Sequence, residues 1–133
     1  MTASIIYQGN LRNTCTHVES GTEILTDAPK DSMGNGEAFS PTDLVATALG
    51  SCILTTMAIK CRQMEISIDG ARAEVTKVMA ANPRRIAQID VTLYMPANNY
   101  SDKDKAVLEH TAHACPVAVS LHPDLVQNIV FHW

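Results

Sequence analysis

The sequence predicts an α+β fold in which antiparallel sheets surround one long buried helix. Three observations carry that reading. The segments follow the order strands, long helix, strands, shorter helix, strand, with no alternating strand–helix–strand units. Residues 44–59 contain no charged side chain and are apolar or small nearly all round. Ile89, Val91, Leu93 and Met95 alternate with polar Asp90 and Thr92, the pattern of a half-buried antiparallel strand.

The N-terminal part reads as a meander. Ile5 and Tyr7 share one face of a first strand, and Gly9-Asn10 makes a turn. Residues 11–19 form a second strand, Ser20-Gly21 a tight turn, and residues 22–26 a third strand. Residues 27–39 hold Pro29, Gly34, Asn35 and Gly36 without apolar periodicity, which makes a long loop. Long ordered loops in compact domains are often functional.

Ser40-Pro41-Thr42-Asp43 then starts the long helix. Ser40 can cap, Pro41 suits the first helical position, and Asp43 stands where a capping-box acid reaches back. The helix is expected to run to about Arg62, and Gly50-Ser51 lets another backbone come close. A helix that is apolar on every side is covered on every side. In a chain of 133 residues this predicts a second subunit over part of it, hence a homodimer.

Ile66 to Met79 is expected to be a strand with a bulge at Gly70, where the apolar phase flips. Asn82-Pro83 turns the chain, and the strand that contains Ile89 to Met95 ends at Pro96. Ser101 to Asp104 repeats the capping pattern of a second helix, which Pro116 breaks. A short helical turn over Val117 to Leu121 and a last strand with Ile129, Phe131 and Trp133 complete a single domain over residues 1–133.

Composition narrows the function. The net charge of -4 repels phosphate backbones, and the only basic cluster is Arg84-Arg85, so no nucleic-acid partner is expected. The N-terminus lacks a basic start and a long apolar run, so no secretory signal is expected. The uncharged stretch is shorter than a span of ~20 residues, so no membrane segment is expected. Cytoplasmic location and free thiols follow for Cys15, Cys52, Cys61 and Cys115.

Cys52 lies in the middle of the long helix and is the first candidate for chemistry. It cannot pair with Cys61 on the same helix. Nine residues at ~1.5 Å each separate them by about 13 Å, against the ~7 Å limit for bridged Cα atoms. A partner therefore comes from Cys115 or Cys15, with Cys115 the better placed because the helix breaks there. Its position before Val117–Leu121 would favour thiolate if that segment is helical. His110, His113 and Cys115 fall short of a spaced zinc signature, and no metal or cofactor is expected.

Two motifs resemble a known family. Gly36-Glu37-Ala38-Phe39-Ser40-Pro41-Thr42-Asp43-Leu44-Val45-Ala46, ending in Gly50-Ser51-Cys52, is similar to the central helix of the OsmC/Ohr family. His113-Ala114-Cys115-Pro116-Val117 resembles that family's second cysteine in its Cys-Pro setting. The resemblance covers nearly the whole chain. It implies an OsmC-like fold, an intertwined homodimer with interface active sites, and reduction of small organic hydroperoxides. Cys52 would be the attacking thiolate and Cys115 the resolving thiol. An external dithiol reductant, a lipoylated protein in the best-known branch, would close the cycle.

The resemblance also implies an arginine beside the attacking sulfur, held by a glutamate. Best-known members place that glutamate directly after the proline. Thr42 stands there instead, and the acid comes one residue later at Asp43, turned about 100° around the helix. Asp43 is thus both a site candidate and a capping acid. Arg12 is the first choice for the cation, with Arg72 the alternative, and Glu37 is a second candidate for holding it. Two other readings compete. One is a non-peroxidase OsmC-like dimer that binds a small apolar or thiol-reactive ligand at the same cysteine pair. The other is a structural dimer with inert cysteines.

Overall fold

A computed structural model describes residues Met1–Trp133 and divides them into two compact units, Met1–Val45 and Ala46–Trp133. The first unit is an antiparallel meander of β1 (Ala3–Gly9), β2 (Arg12–His17) and β3 (Glu23–Asp27), paired in that order. Gly9, Asn10 and Leu11 all take left-handed backbone, with φ of 86°, 54° and 61°, to make the first turn. The second turn is closed by His17 N–H on Thr22 O and Gly21 N–H on His17 O, both at 2.8 Å.

Register sets which side chains meet. Ile5, Cys15 and Ile24 stand side by side across the three strands on one face. Ile6, Thr14 and Leu25 do so on the other face. Arg12 lies directly opposite Asp27. The third strand therefore extends one residue past its expected end and takes in Asp27, read above as loop. The Asp27 N–H donates to Phe39 O at 3.0 Å, and its buried side chain faces Arg12, so the residue is held as strand.

Helix α1 (Pro41–Gln63) begins in the first unit and continues into the second. Its start is a capping box: Asp43 N–H donates to Ser40 Oγ at 3.1 Å, and Ser40 N–H donates to Asp43 Oδ2 at 2.9 Å. Within the second unit the helix buries one stripe, Ala46, Leu49, Gly50, Ile53, Met57 and Cys61. At 23 residues, α1 is long and apolar enough to cross a membrane by length and composition alone, which the length of the uncharged stretch did not suggest. A core helix meets the same test, and the spaced buried stripe is that of a helix lying on a sheet.

That sheet has the order β4 (Arg72–Ala80), β5 (Arg85–Tyr94), β6 (Val126–His132). Gly50 is the point of closest approach. A Cβ there would stand 2.8 Å from Val75 Cγ1 and 3.7 Å from Ala73 Cβ, so only glycine lets α1 settle on β4. Ile89, Val91 and Leu93 of β5 are fully buried, as are Leu49, Ile53 and Met57. Helices α2 (Asp102–His113) and α3 (Pro116–Ser120) connect β5 to β6.

Two expectations are corrected. The sheet is not antiparallel throughout, because β5 and β6 run parallel. The helical crossover returns the chain to the same end of the sheet, as parallel pairing requires. The strand expected from Ile66 begins only at Arg72, and Gly70 (φ 89°) lies in a turn rather than a bulge. Left-handed Glu65 takes the chain off the helix, and Ala71 N–H closes the turn on Ile68 O at 2.9 Å. The register shift of β4 falls at Val78/Met79.

Cys61 is buried at the end of α1. Burial, with Asp104 and Asp69 adding to it, pushes its thiol up. A thiol held protonated in the fold stabilises it fully below the ordinary thiol range, and that contribution is lost as pH rises through the folded value. The Tm of the reduced protein is therefore expected to fall as pH rises above about 8.5. In Cys61→Ala the slope of that fall should be shallower, even if the whole curve is lower. Equal slopes in scanning calorimetry would contradict it.

Candidate functional site

The second unit brings two thiols together. Cys52 sits half-buried near the middle of α1, and its Sγ lies 3.9 Å from Thr56 Oγ1, one turn along. Cys115 is fully buried in the break between α2 and α3, because Pro116 forbids it helical backbone (φ -64°, ψ 148°). It is the N-cap of α3, and Ala118 N–H donates to its Sγ at 3.4 Å. Cys52 is near enough to influence the ionisation of the Cys115 thiol. Neither sulfur is part of a disulfide.

The Cys115 thiol is pushed up, not down. Burial is the main cause, and the nearby Cys52 adds to it. The N–H groups of Ala118 and Val117 pull the other way without overcoming burial. The position at a helix start is as expected, but its predicted preference for thiolate is overturned by the dry surroundings. Cys115 therefore keeps its proton at neutral pH. The pair is asymmetric, with Cys52 half-buried and Cys115 fully buried.

The first unit holds a separate charged cluster. Arg12 donates from Nε to Asp27 Oδ1 at 2.7 Å and from Nη2 to Asp27 Oδ2 at 2.8 Å, a two-pronged grip. Nη2 also donates to Glu37 Oε2 at 3.0 Å. The two acids differ in setting: Asp27 is 3% exposed and Glu37 is 66% exposed. The hydrogen bonds from Arg12, above all, hold the Asp27 carboxyl below the usual carboxylate range, against burial and with help from the Glu37 and Ala38 N–H groups.

Each candidate from the sequence can now be placed. Arg12 is a half-buried, ion-paired guanidinium, with Glu37 among its partners as anticipated. Asp43 closes the capping box of α1, while the two carboxylates on Arg12 are those of Asp27 and Glu37. Arg72, the alternative cation, lies over the Tyr94 ring at 4.1 Å and pairs with Glu74. It alternates with Ala73 and so points to the face of β4 away from α1. It cannot face Cys52 of its own chain. His110 and His113 are exposed, and no cluster of three or more His, Cys, Asp or Glu side chains is built to hold a metal. Asp27 was missed because the expected Ser20-Gly21 turn pairs residues whose numbers sum to 41, whereas the observed pairs sum to 39 and set Asp27 across from Arg12.

Comparison with known proteins adds to this geometry. Residues 34–129 match the sequence profile of a family described as OsmC-like protein. A Psychrobacter arcticus protein named for osmotic stress induction and detoxification response is 50% identical in sequence, with a TM-score of 0.95 over 99% of this chain and 96% of that one. An organic hydroperoxide resistance protein, OsmC, from Legionella pneumophila has a TM-score of 0.75 at 16% identity, covering 98% of this chain and 95% of its own. The organic hydroperoxide resistance protein OhrB of Bacillus subtilis has a TM-score of 0.74 at 14% identity, covering 99% and 98%. The last two are alike in fold only. No curated protein matches the chain.

Proposed function

The chain belongs to the OsmC-like protein family, and from that premise we propose that it is a cytosolic thiol peroxidase of small organic hydroperoxides, working as a homodimer. The placing of a half-buried Cys52 near a buried, protonated Cys115 carries this reading. The Cys52 thiolate attacks one oxygen of the hydroperoxide, the O–O bond breaks, and the alkoxide leaves as the alcohol after taking a proton. Cys52 is then a sulfenic acid. The Cys115 sulfur attacks it, the S–O bond breaks, water leaves with the thiol proton, and a Cys52–Cys115 disulfide remains. An external dithiol reduces that disulfide to two thiols and is itself oxidised to a disulfide. Arg12 supplies the positive charge that a thiolate on an apolar helix requires.

One observation favours a second reading. Thr42 stands where the best-known members carry the arginine-holding glutamate, and Asp43 is used to cap the helix. A protein that lost its peroxidase acid could bind a small apolar or thiol-reactive ligand at the same pair instead. Dithiol-driven turnover separates the two. Cumene hydroperoxide is expected to be turned over with kcat/KM roughly tenfold or more above hydrogen peroxide, since its ring can be buried. After one equivalent, non-reducing peptide mapping should find Cys52 linked to Cys115 within one chain. No turnover would support the ligand-binding reading. A dominant Cys15–Cys52 or intermolecular link would refute the cycle proposed here.

A further inference from the structure

We propose that Asp27, at the end of β3, is the positioning residue for Arg12 and does the work of the absent helix glutamate. This inference rests on the reading of Arg12 as the thiolate's cation. The register of the meander makes the pair: β2 and β3 set Arg12 and Asp27 directly opposite each other. Both carboxylate oxygens are used, on Nε and on Nη2 of the same guanidinium. Two parallel bonds fix the plane and direction of the guanidinium, which one point charge cannot do.

Asp27 also holds the loop that follows. The Glu37 N–H donates to Asp27 Oδ2 at 3.1 Å, and the Asp27 N–H donates to Phe39 O. Arg12 and Glu37 are thus fastened to one buried side chain, and Phe39 to the backbone of the same residue. Glu37 is the lesser partner. It makes one bond to Arg12, on a nitrogen already shared with Asp27, from a largely exposed side chain. Exposed ion pairs of that kind contribute little. Asp27 and Glu37 engage Nε and Nη2, which leaves the two Nη1 donors outside both ion pairs.

The arrangement gives the arginine an anchor without the helix glutamate of the best-known family members. The acid stands on the strand beside the arginine. It also assigns different roles to two nearby carboxylates, one fixed and one exchangeable.

The test compares Arg12→Ala, Asp27→Asn, Glu37→Gln and the double variant Arg12→Ala/Asp27→Asn. The first readout is the pH profile of Cys52 alkylation by iodoacetamide, followed by peptide mass spectrometry. A purely structural role for Asp27 would not move it. The second is kcat/KM with cumene hydroperoxide. Asp27→Asn is expected to shift the alkylation profile to higher pH, in the same sense as Arg12→Ala, and to cut kcat/KM by roughly 10²-fold, the cost of a misplaced catalytic group. The double variant should be no worse than Arg12→Ala alone, because each change removes the same function. Glu37→Gln should shift the profile and lower kcat/KM less than Asp27→Asn does.

A wild-type profile in Asp27→Asn, or losses that multiply in the double variant, would overturn the proposal. An unchanged profile in Arg12→Ala would do so as well. If the wild type turns over no hydroperoxide, the peroxidase reading falls by itself, and the alkylation profiles still decide the role of Asp27. Should Asp27→Asn fail to fold by circular dichroism, Asp27→Glu replaces it. That variant keeps the charge but moves the guanidinium by about one C–C bond, roughly 1.5 Å. It is expected to shift the profile part of the way, and a wild-type profile there would count against the proposal.

Discussion

Cys52→Ser is expected to reduce dithiol-driven hydroperoxide turnover by roughly 10³-fold or more, since a serine hydroxyl without an adjacent base is a very weak nucleophile at neutral pH. Cys115→Ser is expected to behave differently. It should consume about one equivalent of hydroperoxide per chain in a fast first phase, because attack on the O–O bond belongs to Cys52 alone. It should then stall with Cys52 as a sulfenic acid that dimedone can trap. The asymmetry follows from placement. Cys52 is half-buried on α1, whereas Cys115 is sealed at the start of α3 and keeps its proton. The measurement is a rapid-mixing assay with mass analysis of the trapped adduct. A Cys115→Ser variant without a first phase would show that both sulfurs are needed for the attack, and the division of labour would fail.

Much of this was legible in the residues themselves. The capping box at Ser40 and Asp43 is local chemistry, fixed by a hydroxyl and an acid three residues apart, and it forms as its residues dictate. The second box at Ser101 and Asp104 is the same case. Pro116 breaks the helix at Cys115 for a steric reason that needs no tertiary context. What was not legible depends on distant segments. The direction of the Cys115 shift is set by how thoroughly other elements bury it, and a helix start alone cannot reveal that. The parallel pairing of β5 and β6 depends on where the crossover lands. Gly70 changes the apolar phase whether it makes a bulge or a turn, and only the left-handed Glu65 upstream decides the matter. Asp27 is intermediate. A two-residue turn at Ser20-Gly21 would set Arg12 opposite Pro29, and only the longer turn that forms brings Asp27 across from Arg12.

The largest effect on assembly is expected from the double variant Ile5→Lys/Ile24→Lys. Both isoleucines flank Cys15 on one face of the meander, and they remain 61% and 46% exposed in the single chain. Ile6 and Leu25, on the opposite face, are also 60% and 44% exposed. A three-stranded sheet with apolar side chains open on both faces is marginal in water. A second copy of the chain would remove that exposure, in keeping with the homodimer proposed above. Burying the exposed half of one isoleucine contributes about 1 kcal/mol, half the value of a fully buried side chain. Two sites in each of two chains then contribute about 4 kcal/mol, or roughly 10³-fold in the dissociation constant. Lysine adds the cost of drying a charge, so the true loss should be larger. Sedimentation at micromolar concentration should give twice the chain mass of 14.4 kDa for the wild type, and a monomer or an unfolded chain for the variant. A wild-type protein that sediments as a stable, folded monomer would overturn the dimer, and with it the idea that a second chain covers the meander.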